Sequence, residues 1–424
     1  MLPLVMFYHR LNKYSFNALA GALDRDDEAS ATGITRAKTA DEVRAAAAGL
    51  LSRHERILVA LSIMTPQLRE AESLVRQLRA AHGTRIIFLA GGPHATADPE
   101  GVLRLGINLV FRGESEAIFP AALKNLARRE SCLDIPGIAF RDGGKLLVNP
   151  RPEMVDIDSF DSFSAGRGMF GPIEITRGCP FACSYCQTSH IFGVRPRHRS
   201  VDNIVRQALA LRSSRKRNVR LLSPNAFSYG SPDGRQLNLA AIGRLLESLR
   251  RALDPGDQIT FAHFPSEVRP EHVSVETLEL MRAYANNDEI VIGAQTGSQR
   301  MLDACRRSHD VGSILNAVRL ARKFGYRVIV DFILGLPGET PEDVRETVAV
   351  IREIARLGGR IHPHAFVPLP QTAFAAERPG KIPAEVTRTL AELKSQRAVY
   401  GDWVPQRRLA HRVYRGLRGD TGMK

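Results

Sequence analysis

The stretch Thr176-Arg-Gly-Cys-Pro-Phe-Ala-Cys-Ser-Tyr-Cys-Gln187 carries three of the chain's five cysteines, Cys179, Cys183 and Cys186, within eight residues. Thiols gathered so closely, with too few others to build a disulfide scaffold, indicate metal in a reducing compartment, the cytoplasm. Gly178 and Pro180 make the segment a loop, and it follows an apolar run at residues 172–176 that reads as a strand. Spacings of four and three residues on a loop let three thiolates converge on one face of an iron–sulfur cube, leaving one iron without a protein ligand. A structural zinc site wants four ligands, commonly as two separated pairs; here no second pair exists, and the histidines close by are His190 and His198. Three plain core cysteines would sit in apolar runs rather than in a loop. Both of these readings stay open behind the cluster.

Beyond the loop, short apolar runs alternate with helical patterns. Strands are expected at residues 172–176, 220–223, 258–263, 289–294, 327–334 and 360–367, giving six βα units, short of the eight that close a full barrel. The helix at 341–357 is marked at both ends: Thr340 caps it, Asp343 answers three residues later, and Gly358 and Gly359 stop it. Cys305 falls at an apolar position of a helix expected at 300–307 and reads as a core thiol.

The N-terminal part repeats the alternation with strands at 2–7, 33–36, 56–62, 85–90 and 108–112, a five-stranded doubly wound domain over residues 1–130. Thr39 with Glu42 forms a capping box, and Thr65 with Pro66 places a cap before a first-turn proline. Ligands of such sheets lie beyond the carboxyl ends of the strands. Those ends supply Ser62, Met64, Thr65, Pro66 and Gln67, then Gly91, Gly92, Pro93 and His94, then Gly113 and Glu114. Residues 131–165 read as a linker with a hairpin at Asp142, Gly143 and Gly144; the barrel then occupies 166–370 and a helical extension 371–424. The expected fold class is α/β: a Rossmann-like domain followed by a partial (β/α)6 barrel.

With 424 residues, 44% of them hydrophobic, the chain is globular and long enough for two cores. No window reaches the roughly 18 apolar residues of a spanning helix, and the apolar start, without a basic lead or cleavage site, reads as a strand rather than a signal peptide. Lys+Arg 59 against Asp+Glu 45 gives a net charge of +14. RNA could answer that charge, but the excess is mostly Arg scattered along helices, densest at residues 406–418, without interleaved aromatics, and a solvated basic surface is favoured.

The cysteine segment resembles the Cys-X3-Cys-X-aromatic-Cys loop of the radical S-adenosylmethionine (SAM) superfamily, with Tyr185 in the aromatic place. The resemblance implies a [4Fe–4S] cluster whose open iron chelates SAM, cleavage to a 5′-deoxyadenosyl radical, and an external electron donor of the flavodoxin or ferredoxin type. It extends to later strand ends. Ser223-Pro-Asn225 stands where the family usually has a Gly-Gly-Glu stretch, a departure that leaves Asn225 as candidate for the methionine amine. Glu267 and Arg269 follow the third strand and could meet the amine and carboxylate; Gln295 and Ser298 resemble the ribose and carboxylate contact; Gly335 lies in a stretch resembling the adenine-lining motif.

A doubly wound domain before such a barrel is similar to the cobalamin-binding subclass, with Gly91-Gly-Pro-His94 and Arg112-Gly-Glu114 among the matching stretches. The Asp-X-His-X2-Gly loop of histidine-ligated cobalamin is missing, so the resemblance implies cobalamin without histidine ligation, its lower face covered by residues 62–67. The implied activity is methylation of an unactivated carbon of a small-molecule or peptide substrate, with methylcobalamin as donor. Alternatives are ring contraction or cyclisation, a methylthiotransferase-like RNA modification, whose first domain would carry three cysteines where this one has only Cys132 nearby, and a non-catalytic cobalamin- or RNA-binding protein.

Overall fold

The computed structural model describes residues 1–417, so residues 418–424 of the expected C-terminal extension lie outside it. The chain divides into two compact units, Met1–Pro172 and the remainder from Ile173.

In the first unit, β1 (Leu4–Phe7), β2 (Ile34–Ala37), β3 (Ile57–Ser62), β4 (Ile86–Gly91) and β5 (Leu109–Phe111) run parallel. All of β3 is buried, as expected for a sheet covered on both faces. Alternation decides which core each side chain joins: Val5, Phe7, Val59 and Leu61 pack with helices Ala40–Leu51 and Leu68–His82. Leu4, Met6, Leu58 and Ala60 pack with Phe16 and Phe119 of helices Lys13–Asp24 and Ile118–Arg128 on the other face. The order β2-β1-β3-β4-β5 reverses at β1/β3, the place where open α/β sheets bind ligands.

The sheet is larger than the five strands read from the sequence. The hairpin expected within a linker forms β6 (Ile138–Asp142) and β7 (Lys145–Val148), which extend the sheet antiparallel to β5. Gly143 and Gly144, both at positive φ, make the two-residue turn, and buried Ile138, Ala139 and Phe140 give the hairpin an apolar face to dock. Thr39 caps its helix as expected, accepting from Glu42 N at 3.2 Å, while the Glu42 carboxylate takes Lys38 N. Thr65 caps no helix; it opens the 3₁₀ turn Thr65–Gln67, and its hydroxyl goes to His94.

The second unit begins with β8 (Ile173–Glu174) and β9 (Thr176–Arg177), the latter paired antiparallel with β10 (Arg197–His198). Then follow β11 (Asn218–Leu222), β12 (Gln258–Thr260), β13 (Glu289–Gln295), β14 (Arg327–Leu334) and β15 (Arg360–Ala365). The six principal strands are parallel and lie in chain order, β8-β11-β12 and β13-β14-β15. The third strand stops earlier than expected because Ala262 turns to φ +56. Val268 bridges the gap, its N–H donating to Val291 O and its carbonyl accepting from Gly293 N.

Helix Pro341–Arg356 carries its expected cap: Thr340 Oγ1 accepts from Asp343 N at 3.3 Å and the Asp343 carboxylate returns to Thr340 N at 2.7 Å. Asp343 also accepts from Ser298 Oγ at 2.6 Å and pairs with Arg300. Burial alone would raise the Asp343 pKa; the bonds from Arg300, Ser298 and Thr340 outweigh it and hold the carboxyl well below its ordinary range. Arg300 is 55% exposed, so its share is screened and the hydroxyl bonds matter more. Because the folded pKa is depressed, this stabilisation is complete above pH ~4 and is lost as pH falls further. Asp343→Asn should therefore cost about 1–3 kcal/mol in urea unfolding at pH 7 and flatten the acid limb of stability.

Candidate active site

Glycine starts the cysteine loop for a steric reason. Gly178 has φ +91, and a Cβ there would overlap the Arg195 carbonyl oxygen. Cys179 N then donates to Gly193 O at 3.1 Å, and Ser189 Oγ to Cys179 O at 2.7 Å. Ser184 N reaches Cys305 O at 3.1 Å and Ser184 Oγ reaches Ala304 O at 2.8 Å, which fastens the loop to the end of helix Gln299–Ala304. None of the five cysteines is in a disulfide. Cys183 is buried and the other two ligand candidates are partly so. Burial pushes the thiols of Cys179 and Cys186 up, and each also feels the charge of Cys183. Three thiols in mutual electrostatic range, two of them costly to ionise alone, are a donor set that a cationic metal cluster would relieve.

Arg307 was not singled out from the sequence, yet it joins the parts. Its Nη1 donates to Cys183 Sγ at 3.6 Å and Tyr185 Oη at 3.0 Å, and its Nη2 to Gly293 O at 2.6 Å. Burial would lower its pKa, but Tyr185, Cys183 and Glu267 more than offset this and raise it, so it is a permanent cation. Both neighbours, Arg306 at φ 56 and Ser308 at φ 58, are in the left-handed region, strain tolerated where a side chain is being aimed.

The other expected residues fall into two groups. Tyr185, Glu267 and Gln295 gather round Arg307, with Gln295 Nε2 3.4 Å from Glu267 Oε2. Arg269 lies over the Phe181 ring of the cysteine loop at 3.5 Å and donates to Glu271 at 2.6 Å. Asn225 accepts from Arg269 N at 3.2 Å and contacts His272 at 2.7 Å, so its carbonyl is already shared; the buried Ser223 hydroxyl has no partner. By contrast, Ser298 is committed to Asp343, and Gly335 is glycine because Gly380 O stands 2.8 Å from its would-be Cβ. Asp331, His362 and His364 also escaped the sequence reading as site residues; the period-two spacing of the histidines on one strand was the available signal.

In the first unit, the strand-end residues form one polar edge. Asn12 Nδ2 donates to Ser62 O at 3.0 Å, linking the ends of β1 and β3. Gly92, at φ +91, lets β4's end pass close to β3: a Cβ would lie 2.8 Å from Ile63 N and Ser62 Oγ. His94 is fully buried, and its Nδ1 meets Thr65 Oγ1 at 3.1 Å. Met64 N donates to Gln67 Oε1 at 3.4 Å over the exposed Pro66, Pro93 opens the helix after β4, and Gly113 N donates to Thr96 Oγ1 at 3.0 Å. Glu114 accepts Val155 N at 3.0 Å and so serves the unit's own chain. Asn12 Oδ1, Ser62 Oγ and His94 Nε2 are buried without partners, three orphaned groups that fit a polar ligand at this edge.

The geometry sets a three-cysteine loop on a six-stranded partial barrel, in a chain that begins with a doubly wound domain. Residues 173–351 match the family described as the radical SAM superfamily, and residues 7–123 match the B12 binding domain. The chain belongs to the radical SAM superfamily and carries an N-terminal B12-binding domain; the family supports a [4Fe–4S] cluster, SAM and cobalamin as its cofactors. It is 26% identical over 386 residues to an uncharacterized protein of Methanopyrus kandleri (79% of this chain, 70% of the relative). It is 23% identical to an uncharacterized methyltransferase of Pyrococcus horikoshii (72% and 66%), and 28% identical to the tRNA-2-methylthio-N(6)-dimethylallyladenosine synthase of a Shewanella species (64% and 54%). The chain thus spans between about half and 70% of these relatives' lengths. Its fold is similar to the radical SAM methyltransferase TsrM of Kitasatospora setae with cobalamin and [4Fe–4S] cluster bound, at TM-score 0.68, 15% identity and coverage of 89% and 77%. It is also similar to the cobalamin-dependent SAM radical enzyme OxsB, at TM-score 0.64, 17% identity and coverage of 82% and 52%. No helix among the described residues is long and apolar enough to cross a membrane.

Gly178→Ala should abolish cluster assembly, read as iron and sulfide bound after anaerobic reconstitution, while far-ultraviolet circular dichroism stays unchanged. Full iron loading in that variant would refute the steric account of the loop.

Proposed function

We propose that this is a cobalamin-dependent radical SAM methyltransferase acting on an unactivated carbon of a small molecule or peptide. The reading is carried by one co-occurrence: a three-thiol loop, one ligand short of a cube, shares a chain with a doubly wound domain whose ligand edge keeps buried polar atoms unpartnered. When bound, the cluster with SAM supplies a 5′-deoxyadenosyl radical and the corrinoid supplies the methyl group.

The chain's own residues hold, orient and exclude. Cys179, Cys183 and Cys186 would hold the cluster, and Arg307 sets a fixed positive charge against Cys183 that would favour its reduced state. Arg269 offers a guanidinium to the methionine carboxylate of SAM, the free Ser223 hydroxyl and the second lone pair of Asn225 serve its amine, and Gln295 serves the ribose. In the first unit, Ser62 and the 62–67 loop meet the corrinoid. The Asp-X-His-X2-Gly loop is missing from this unit, so a corrin here would be held without a histidine from such a loop. An external flavodoxin- or ferredoxin-type protein supplies the electron.

The methylthiotransferase reading loses its sulfur source. Cys132 is buried in the first unit's core, its Sγ 3.7 Å from Ala122 O, and burial raises its pKa to about 11.

Protein reconstituted anaerobically with iron, sulfide and hydroxocobalamin should retain both cofactors. Under reduction it should release 5′-deoxyadenosine from SAM and carry the trideuteromethyl group of labelled SAM onto bound corrinoid, seen by mass spectrometry. Cys183→Ala should bring deoxyadenosine to background without loss of corrinoid. Retention of zinc in place of iron, or failure to retain corrinoid, defeats the reading; cleavage without label transfer moves it to ring contraction or cyclisation.

A further inference from the structure

Asp331 on β14 and His362 on β15 are register partners, and His364 lies two residues on along the same face. His362 Nδ1 donates to Asp331 Oδ1 at 2.8 Å, and His364 Nε2 lies 3.9 Å from the same oxygen. The Asp331 side chain is 7% exposed, whereas His362 and His364 are 23% and 34% exposed, so the imidazoles border open space. Glu267, an exposed side chain at the end of the third strand, sits against Asp331.

Two imidazoles and a carboxylate suggest a metal, but the hydrogen bonds assign the protons otherwise. Ala365 N donates to Gln406 Oε1 at 3.0 Å, which leaves Gln406 Nε2 to donate to His364 Nδ1 at 3.3 Å. His364 therefore carries its proton on Nε2, the atom facing Asp331, and has no lone pair there for a cation. His362 likewise spends Nδ1–H on Asp331.

What remains is a pair of carboxyls without a cationic partner. Among the described residues neither makes an ion pair with Lys or Arg; the nearest guanidinium, Arg307, has its fork committed to Cys183, Tyr185 and Gly293. Glu267 is faced by Asp331, Arg307, His364, Tyr185 and Gln295, and Asp331 by Glu267, His362, His364 and Arg307. Desolvation by the surrounding chain, then the Asp331 charge, raises Glu267 above its ordinary range against the pull of Arg307; burial raises Asp331 likewise. Burial, then His362, lowers His364 to about 4, so the imidazoles are neutral N–H donors at physiological pH. Two neighbouring carboxyls without a cationic side chain, Asp331 of them buried, are costly to ionise together unless a cation completes the site.

We propose that Glu267 and Asp331, framed by His362 and His364, form the subsite that receives a cationic nitrogen of the substrate, an ammonium or guanidinium. This rests on the barrel reading above and narrows it: the substrate class is an amine or guanidine. The nitrogen lies between the two carboxylates, and the carbon to be methylated is held by that anchor.

The test uses the reconstituted holoenzyme with butylammonium and butylguanidinium as probes and butanol as the neutral control, followed by calorimetry in buffers of different ionisation enthalpy. At pH 7 a cationic probe should bind saturably with net proton release, and butanol should not bind. Glu267→Gln and Asp331→Asn should each weaken the cation at least about tenfold and remove the proton release, and Asp331→Asn should leave iron content and SAM affinity within twofold of the parent. If the variants instead weaken SAM and leave the probes unaffected, the pair serves the SAM ammonium and the proposal falls. It also falls if no cation binds, if binding releases no proton, or if a transition metal beyond the cluster iron co-purifies and is lost in Asp331→Asn. Deoxyadenosine release without substrate, measured in parallel, reports separately on the radical reading.

Discussion

One buried guanidinium holds the barrel's interior together. Arg307 is buried, and its two terminal nitrogens bond three different pieces of protein: the thiol of Cys183, the hydroxyl of Tyr185 and the carbonyl of Gly293. The cysteine loop is thereby tied to the middle of a strand more than a hundred residues away in the chain. A lysine could not make those three bonds in one plane, and a neutral residue would leave both a thiolate and Glu267 without a counter-charge. The loop's other anchors, from Ser184 to the carbonyls of Ala304 and Cys305, end on the same helix–turn that presents Arg307. Cluster site and barrel are consequently one rigid network rather than a loop laid on a scaffold.

Much of this was legible from residues alone, and the parts that were not share a cause. The cysteine spacing, the alternation of strands and helices and the capped helix at Pro341–Arg356 are local signals, carried by neighbours in sequence, and they survive folding. The hairpin at 138–148 looked like a linker because its strands are short and one face is polar; only the unpaired edge of β5, formed from distant residues, gives it a place to dock. Thr65 looked like a helix cap because caps are read from the next three residues, but a buried imidazole competes for the same hydroxyl. Arg307 was one arginine among many, distinguished by backbone strain at its neighbours and by burial, neither of which is written in composition.

The two units treat buried polarity in opposite ways. In the first, small groups at the strand ends, Asn12, Ser62 and His94, keep single atoms unpartnered and neutral, which suits a large ligand rich in amides that can be met by many weak contacts. In the second, ionisable groups follow one another from buried Cys183 and Arg307 through Glu267 to buried Asp331. Enclosure of charge strengthens each interaction and leaves little tolerance for misplacement.

After the last barrel strand the chain doubles back. Ile361 N donates to Ala398 O and Tyr400 N to Ile361 O, so the segment around Val399 lies parallel against the outer margin of β15, with the Tyr400 ring against His362. A half-closed barrel otherwise ends in a row of free amides and carbonyls, a template on which a second polypeptide could add itself. By covering part of that row with its own backbone, the chain shortens the edge left open to strand addition.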